Sequence, residues 1–88
     1  MDKPYIEEQL HNQTYLRIFP ADTPEEDLKW HWDEEDRIVK PTEETDWKFQ
    51  MDNELPIKIE REIFIPKGVF HRIIKGTGDL KLSVTKIF

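Results

Sequence analysis

Turn-forming residues break this chain at intervals of about 8–12 positions, and the stretches between them are short and alternate in polarity. Pro20, Pro41, Asp52-Asn53-Glu54, Pro66-Lys67-Gly68 and Gly76-Thr77-Gly78-Asp79 mark the breaks. Proline fixes φ and removes a backbone donor, so it stops a strand. Glycine admits the positive φ that a tight reversal needs. Trp47, Phe49 and Met51 alternate with Lys48 and Gln50, the cleanest half-buried strand in the sequence. Thr14 to Phe19 reads as a first strand. Leu28 to Val39 also alternates, with Trp30 and Trp32 on one face and His31, Asp33, Glu35 and Arg37 on the other. The pairs Ile57/Ile59 and Ile63/Ile65, then Val69/His71/Ile73 and Leu80/Leu82/Val84, continue the pattern. About six to eight short strands so spaced predict an all-β sandwich or barrel.

Two segments read differently. Thr23-Pro24-Glu25-Glu26 has a capping-box pattern with proline at the first helical position, which predicts one helical turn. A longer helix over 24–36 is the rival there, since it would set His31 and Glu35 at i,i+4, but the tryptophans and the flanking alternation favour strand. Residues 1–13 are polar and read as a mobile lead-in or an edge segment, with His11 an ordinary surface residue.

At 88 residues the chain is expected to form one domain, residues 1–88. Such a domain buries only about 60–65% of its unfolded surface, so dimerisation or a bound metal is the expected source of further stability. With no cysteine, disulfides and thiolate metal sites are excluded, and a metal would be held by histidine and carboxylate. A net charge of −6 argues against nucleic acid or an anionic membrane as partner. The short apolar runs and the lack of a signal-peptide pattern lead to a cytoplasmic expectation. No His-Glu-x-x-His, phosphate-cradling glycine loop or Gly-x-Ser-x-Gly elbow occurs.

One histidine is placed for chemistry. In Pro66-Lys67-Gly68-Val69-Phe70-His71 the turn delivers His71 to a rigid strand near its mouth, a usual address for a metal ligand. This Pro-x-Gly-x-x-His spacing resembles the second conserved motif of the cupins, Gly-x5-Pro-x-Gly-x2-His-x3-Asn. Pro66, Gly68 and His71 match it, while Glu60 and Lys75 stand at its glycine and asparagine positions. The first cupin motif, Gly-x5-His-x-His-x3/4-Glu-x6-Gly, is more degraded. With its closing glycine set near Glu44, Arg37 takes the glutamate position, and His31 and Asp33 take the two histidine positions. A second register makes His31 the second histidine, with Glu35 or Asp36 as the carboxylate; strand parity favours Glu35. The resemblance covers roughly residues 28–87. The stretches 31–37 and 47–56, with His71-Arg72, look like small single-domain cupins carried by tailed bacteriophages, which would put the chain in a host cell's cytoplasm.

What the resemblance implies is a small cupin-type β-barrel, a jelly-roll-like double-stranded β-helix. It implies one divalent metal (Fe, Mn, Ni, Zn or Cu) on His31, His71 and a carboxylate, Asp33 or Glu35. Two histidines and a carboxylate with open positions suit non-haem Fe(II) and accept the others. The expected role is a metal and small-ligand binding module. One alternative is a metal-dependent oxygenase or isomerase acting on a small oxygen-bearing substrate. Another is a metal-free structural or interaction protein in which Arg37 pairs with Asp33 or Glu35. If His31 points inward on a strand, Trp30 and Trp32 point outward. Their indoles are then expected to be largely covered, in part at a homodimer contact.

Overall fold

The computed structural model describes residues 3–88. Met1 and Asp2, at the head of the expected lead-in, lie outside the described residues. The strands are β1 (Ile6–His11), β2 (Thr14–Phe19), β3 (Asp36–Pro41), β4 (Lys48–Met51), β5 (Ile57–Lys58), β6 (Ile63–Ile65), β7 (His71–Ile74) and β8 (Leu80–Ile87). They form a five-stranded sheet, ordered β1-β2-β8-β3-β6, and a three-stranded sheet, ordered β5-β4-β7. Every pairing is antiparallel. The chain is all-β, as the turn spacing predicts. Among the described residues no helix is long and apolar enough to cross a membrane.

The topology follows from one nested set of partners. Phe49 faces Ile57, Arg37 faces Ile65, His31 faces His71 and Thr14 faces Thr85, moving outward from the turn between β4 and β5. The chain is a long hairpin wound on itself, and the pairings of β3 with β8 and β4 with β7 stitch the winding into two facing sheets. That is a jelly roll. Asn53 and Gly68 make two of the reversals at φ 62° and 78°, the left-handed region that asparagine tolerates and glycine occupies freely.

Alternation decides the interior. Phe19, Val39, Phe49, Ile63, Leu82 and Val84 are buried between the sheets, each contributing roughly 1.5–3 kcal/mol of burial. Trp47 has no exposed surface, and its indole N–H donates to the Gly78 carbonyl at 3.1 Å, so the one polar atom on the ring is satisfied. Gly76 is required beside it. A Cβ there would lie 2.7 Å from the Trp47 backbone nitrogen and collide with Asp46 as well.

Three local readings are corrected. The expected Leu28–Val39 strand enters a ladder only from Asp36, in β3 (Asp36–Pro41), and the stretch before it touches a sheet at His31 alone. The chain crosses from one sheet to the other in this stretch. Its polar groups are taken by the Pro-Gly turn: Gly68 N–H donates to Asp33 O at 2.9 Å and Lys67 N–H to the Asp36 carboxylate at 2.8 Å. With no partner strand over them, Trp30 and Trp32 are 41% and 49% exposed in the single chain, so the expected cover is left to a second copy. Glu25–Asp27 does form one 3-10 turn, but Thr23 does not cap it; its hydroxyl donates back to Pro20 O at 2.6 Å. The lead-in is an edge strand, β1.

Thr77 ties the last hairpin to the start of β4 by donating its N–H and its hydroxyl, each at 2.8 Å, to the two oxygens of Asp46. Those donors hold the Asp46 carboxyl below its ordinary value of 3.8. The contribution is therefore complete above that value and is lost as pH falls through the lowered one. Asp46→Asn is expected to lower the melting temperature at pH 7 by an amount that shrinks as pH falls below the ordinary carboxylate range. Parallel melting curves across that range would contradict the tie.

Candidate metal centre

His71 opens β7 directly after the Pro-Gly turn and is 4% exposed. Its N–H donates to His31 O at 2.8 Å and its carbonyl accepts from His31 N–H at 3.0 Å. Directly opposed residues project to the same side of a sheet. The two rings accordingly meet edge to face, with centroids 4.3 Å apart and planes inclined at 62°. The Phe49 ring stacks behind His71, 5.7 Å centroid to centroid.

Each imidazole is oriented by its own chain. His31 Nδ1 lies 3.0 Å from Lys29 O and His71 Nδ1 lies 2.9 Å from Val69 O. A carbonyl only accepts, so both Nδ1 atoms carry the proton, and in a neutral ring Nε2 is left with its lone pair. Asp33 completes the group: its carboxylate and the two rings offer donor atoms all within 4.8 Å of one another.

Arg37 fixes which oxygen Asp33 presents. Its Nη1 lies 3.3 Å from Asp33 Oδ1, while its Nε donates to Glu35 Oε2 at 2.6 Å. The other oxygen, Asp33 Oδ2, is buried and 3.3 Å from His71 Nε2. With that nitrogen unprotonated the contact is no hydrogen bond, and Oδ2 is left without a donor. Burial raises the Asp33 carboxyl; a proton on His71 Nε2 would lower it, as the Arg37 charge does, and the group lies below its usual value and stays ionised. Partial burial of the His31 ring pulls its pKa below 6.5, although the residue stands at the mouth of the site.

With both rings neutral, the ionised Asp33 carboxylate and one nitrogen of each imidazole form a set of three acceptors within 4.8 Å of one another. A divalent cation fits such a set. Bonds of about 2.1 Å allow two ligands of one ion to stand about 4 Å apart at most, so binding would draw these donors slightly inward. The structure thus gathers His31, Asp33 and His71. Glu35, the other carboxylate expected as a ligand, is turned onto Arg37.

The cluster opens into a cavity of about 460 Å³ between the sheets, walled by Val39, Phe49, Ile63, Ile65 and Val84. Sequence reasoning missed the other charged residues that line it, Lys3, Arg17, Asp27, Lys29 and Lys86. Arg17 is buried and bound to Glu7 at 2.6 Å. The signal for it lay in the Thr14–Phe19 alternation, which puts Arg17 on the same face as Phe19.

Arg37→Leu would leave Asp33 and Glu35 partly buried without their counter-charge. We expect a loss of about 2–3 kcal/mol in urea denaturation, below the figure for a fully buried pair because all three side chains keep some solvent contact. Unchanged stability would remove Arg37 from its orienting role.

No protein-family model and no curated protein matches the sequence. Solved structures do. A cupin domain from Bordetella pertussis Tohama I is similar over 100% of this chain and 99% of its own, at 18% identity and a TM-score of 0.65. Protein NMB1881 from Neisseria meningitidis is similar over 96% of this chain and 82% of its own, at 16% identity and a TM-score of 0.59. HppE in its apo form gives a TM-score of 0.66 at 15% identity over 96% of this chain, which spans only 50% of HppE. At such identities the likeness is one of fold, and the fold is of cupin type.

Proposed function

We propose that this protein binds one divalent transition metal through His31, Asp33 and His71 and offers it to a small ligand in the adjoining cavity. The observation that carries this reading is the buried, donorless Asp33 Oδ2, 3.3 Å from His71 Nε2 and clustered with His31, where both rings direct Nδ1 to backbone carbonyls. Such an ion, once bound, supplies a Lewis acid to an oxygen-bearing ligand. The chain's own part is to keep three donors deprotonated and converging, with Arg37 orienting Asp33 and Phe49 backing His71. The specific metal among Fe, Mn, Ni, Zn and Cu follows from availability as much as from this donor set.

Arg37 also favours a second reading. Its pairing with both Asp33 and Glu35 is the network expected of a metal-free structural site, with His71 then protonated and bonded to Asp33. Calorimetric titration of tag-free protein with Mn²⁺ or Zn²⁺ separates the two. We expect one ion per chain, a higher melting temperature when it is bound, and loss of that ion in His31→Ala and in His71→Ala. Asp33→Asn should weaken binding more than Glu35→Gln. Uptake should fall as pH drops through about 6, since protons compete for the histidines; the lowered His31 value keeps that ring available to a lower pH than an ordinary histidine. Stoichiometric uptake by both histidine variants would overturn the assignment.

The homodimer belongs to the same proposal. Trp30 and Trp32 leave indole surface exposed beside the site, where the Arg72 guanidinium covers only one of them, 4.8 Å from the Trp30 ring. Sedimentation should show a dimer that the Trp30→Ser, Trp32→Ser double variant weakens. A monomeric wild type would rule out the indole interface.

A further inference from the structure

The cavity carries a charge opposite in sign to the chain. Its lining holds Lys3, Arg17, Lys29, Arg37 and Lys86 against two carboxylates, Asp27 and Asp33, in a protein of net charge −6. Two of these cations are already engaged: Arg17 by Glu7 and Arg37 by Glu35 and Asp33. Lys86 is different. It stands directly opposite Arg37 in the β3–β8 ladder, a like-charge pairing that costs stability unless something answers it. No carboxylate among the described residues lies within ion-pair distance of Lys86. Its ammonium rests 4.8 Å from the centroid of the Tyr15 ring. The nearby Glu7 carboxylate feels the Lys86 charge but spends its hydrogen bond on Arg17.

From this we propose that the cavity receives a small amphipathic carboxylate, its anionic end on Lys86 and its apolar body against Val39, Ile63, Ile65 and Val84. The inference deepens the proposed function and rests on it for the metal, which such a ligand would reach at the His31–His71 end. Three features select the class. Among the lining lysines Lys86 alone is half-buried, Lys3 and Lys29 being exposed, and one half-buried ammonium is a point charge suited to one carboxylate. The two guanidinium groups in the lining, Arg17 and Arg37, already have carboxylate partners. The remaining wall is aliphatic and aromatic, and about 460 Å³ falls within the range of small-molecule pockets.

Phenylacetate and its uncharged amide, phenylacetamide, share one shape and test the charge alone. By calorimetry or thermal shift, wild type should bind phenylacetate at least about tenfold tighter than phenylacetamide, the difference expected from one charge-assisted hydrogen bond. Lys86→Met keeps the aliphatic stem and should erase that preference, while Lys86→Arg should retain most of it. Metal uptake measured on the same samples should be unaltered in Lys86→Met. No binding of phenylacetate, equal binding of acid and amide, or an undiminished preference in Lys86→Met would overturn the inference. A Lys86-dependent preference in a wild type that takes up no metal would sink the metal reading and leave the carboxylate pocket standing.

Discussion

Two hydrogen bonds exchanged between the backbones of His31 and His71 build the site and attach the crossing segment to the smaller sheet at once. They are the only ladder contact the crossing segment makes among the described residues, yet they lie on the same nested series of partners that builds the rest of the jelly roll. Because opposed residues project to one side, this single bridge converts a long sequence separation into two rings 4.3 Å apart. The Pro-Gly turn then secures the flank, since Gly68 N–H binds Asp33 O and so fixes the backbone of the third donor. Fold and site share the same few bonds.

The electrostatics of the cluster are a competition for Asp33. One of its oxygens belongs to Arg37, and the other faces the histidines. Arg37 keeps the carboxylate ionised despite burial, which suits a cation ligand, but the same guanidinium places a positive charge near any ion that arrives. Glu35 offsets that charge through its short contact with Arg37. The three-residue network is therefore consistent with a metal site whose fourth ligand position has been given over to orientation. It is equally the frame in which a proton on His71 could do the cation's work, which is why the two readings divide on a measurable ligand.

Much of this was legible from residue pattern. The Pro66-Gly68-His71 spacing forecast a turn with a ligand behind it, and Trp47, Phe49 and Met51 forecast the strand against which His71 packs. His31 and Asp33 came from the resemblance, by laying the first cupin motif back from the turn near Glu44. The crossing segment was misread because Trp30, His31, Trp32 and Asp33 alternate like a strand, while strand formation also needs a neighbour along the whole length, and β7 supplies one residue of contact. For the same reason parity could not decide between Asp33 and Glu35: the choice is made by Arg37, through a contact set in three dimensions. Gly76 gave no signal at all, since its need is for close approach to a distant backbone.

The account reduces to the protonation pattern of two rings. In ¹⁵N-labelled protein at pH 7, long-range ¹H–¹⁵N spectra report which imidazole nitrogen of His31 and His71 bears hydrogen. We expect both rings neutral and protonated at Nδ1, with both Nε2 resonances moving together when one equivalent of Zn²⁺ is added. A proton on His71 Nε2, unmoved by the metal, would contradict the central claim and leave Asp33 and His71 as a metal-free ion pair.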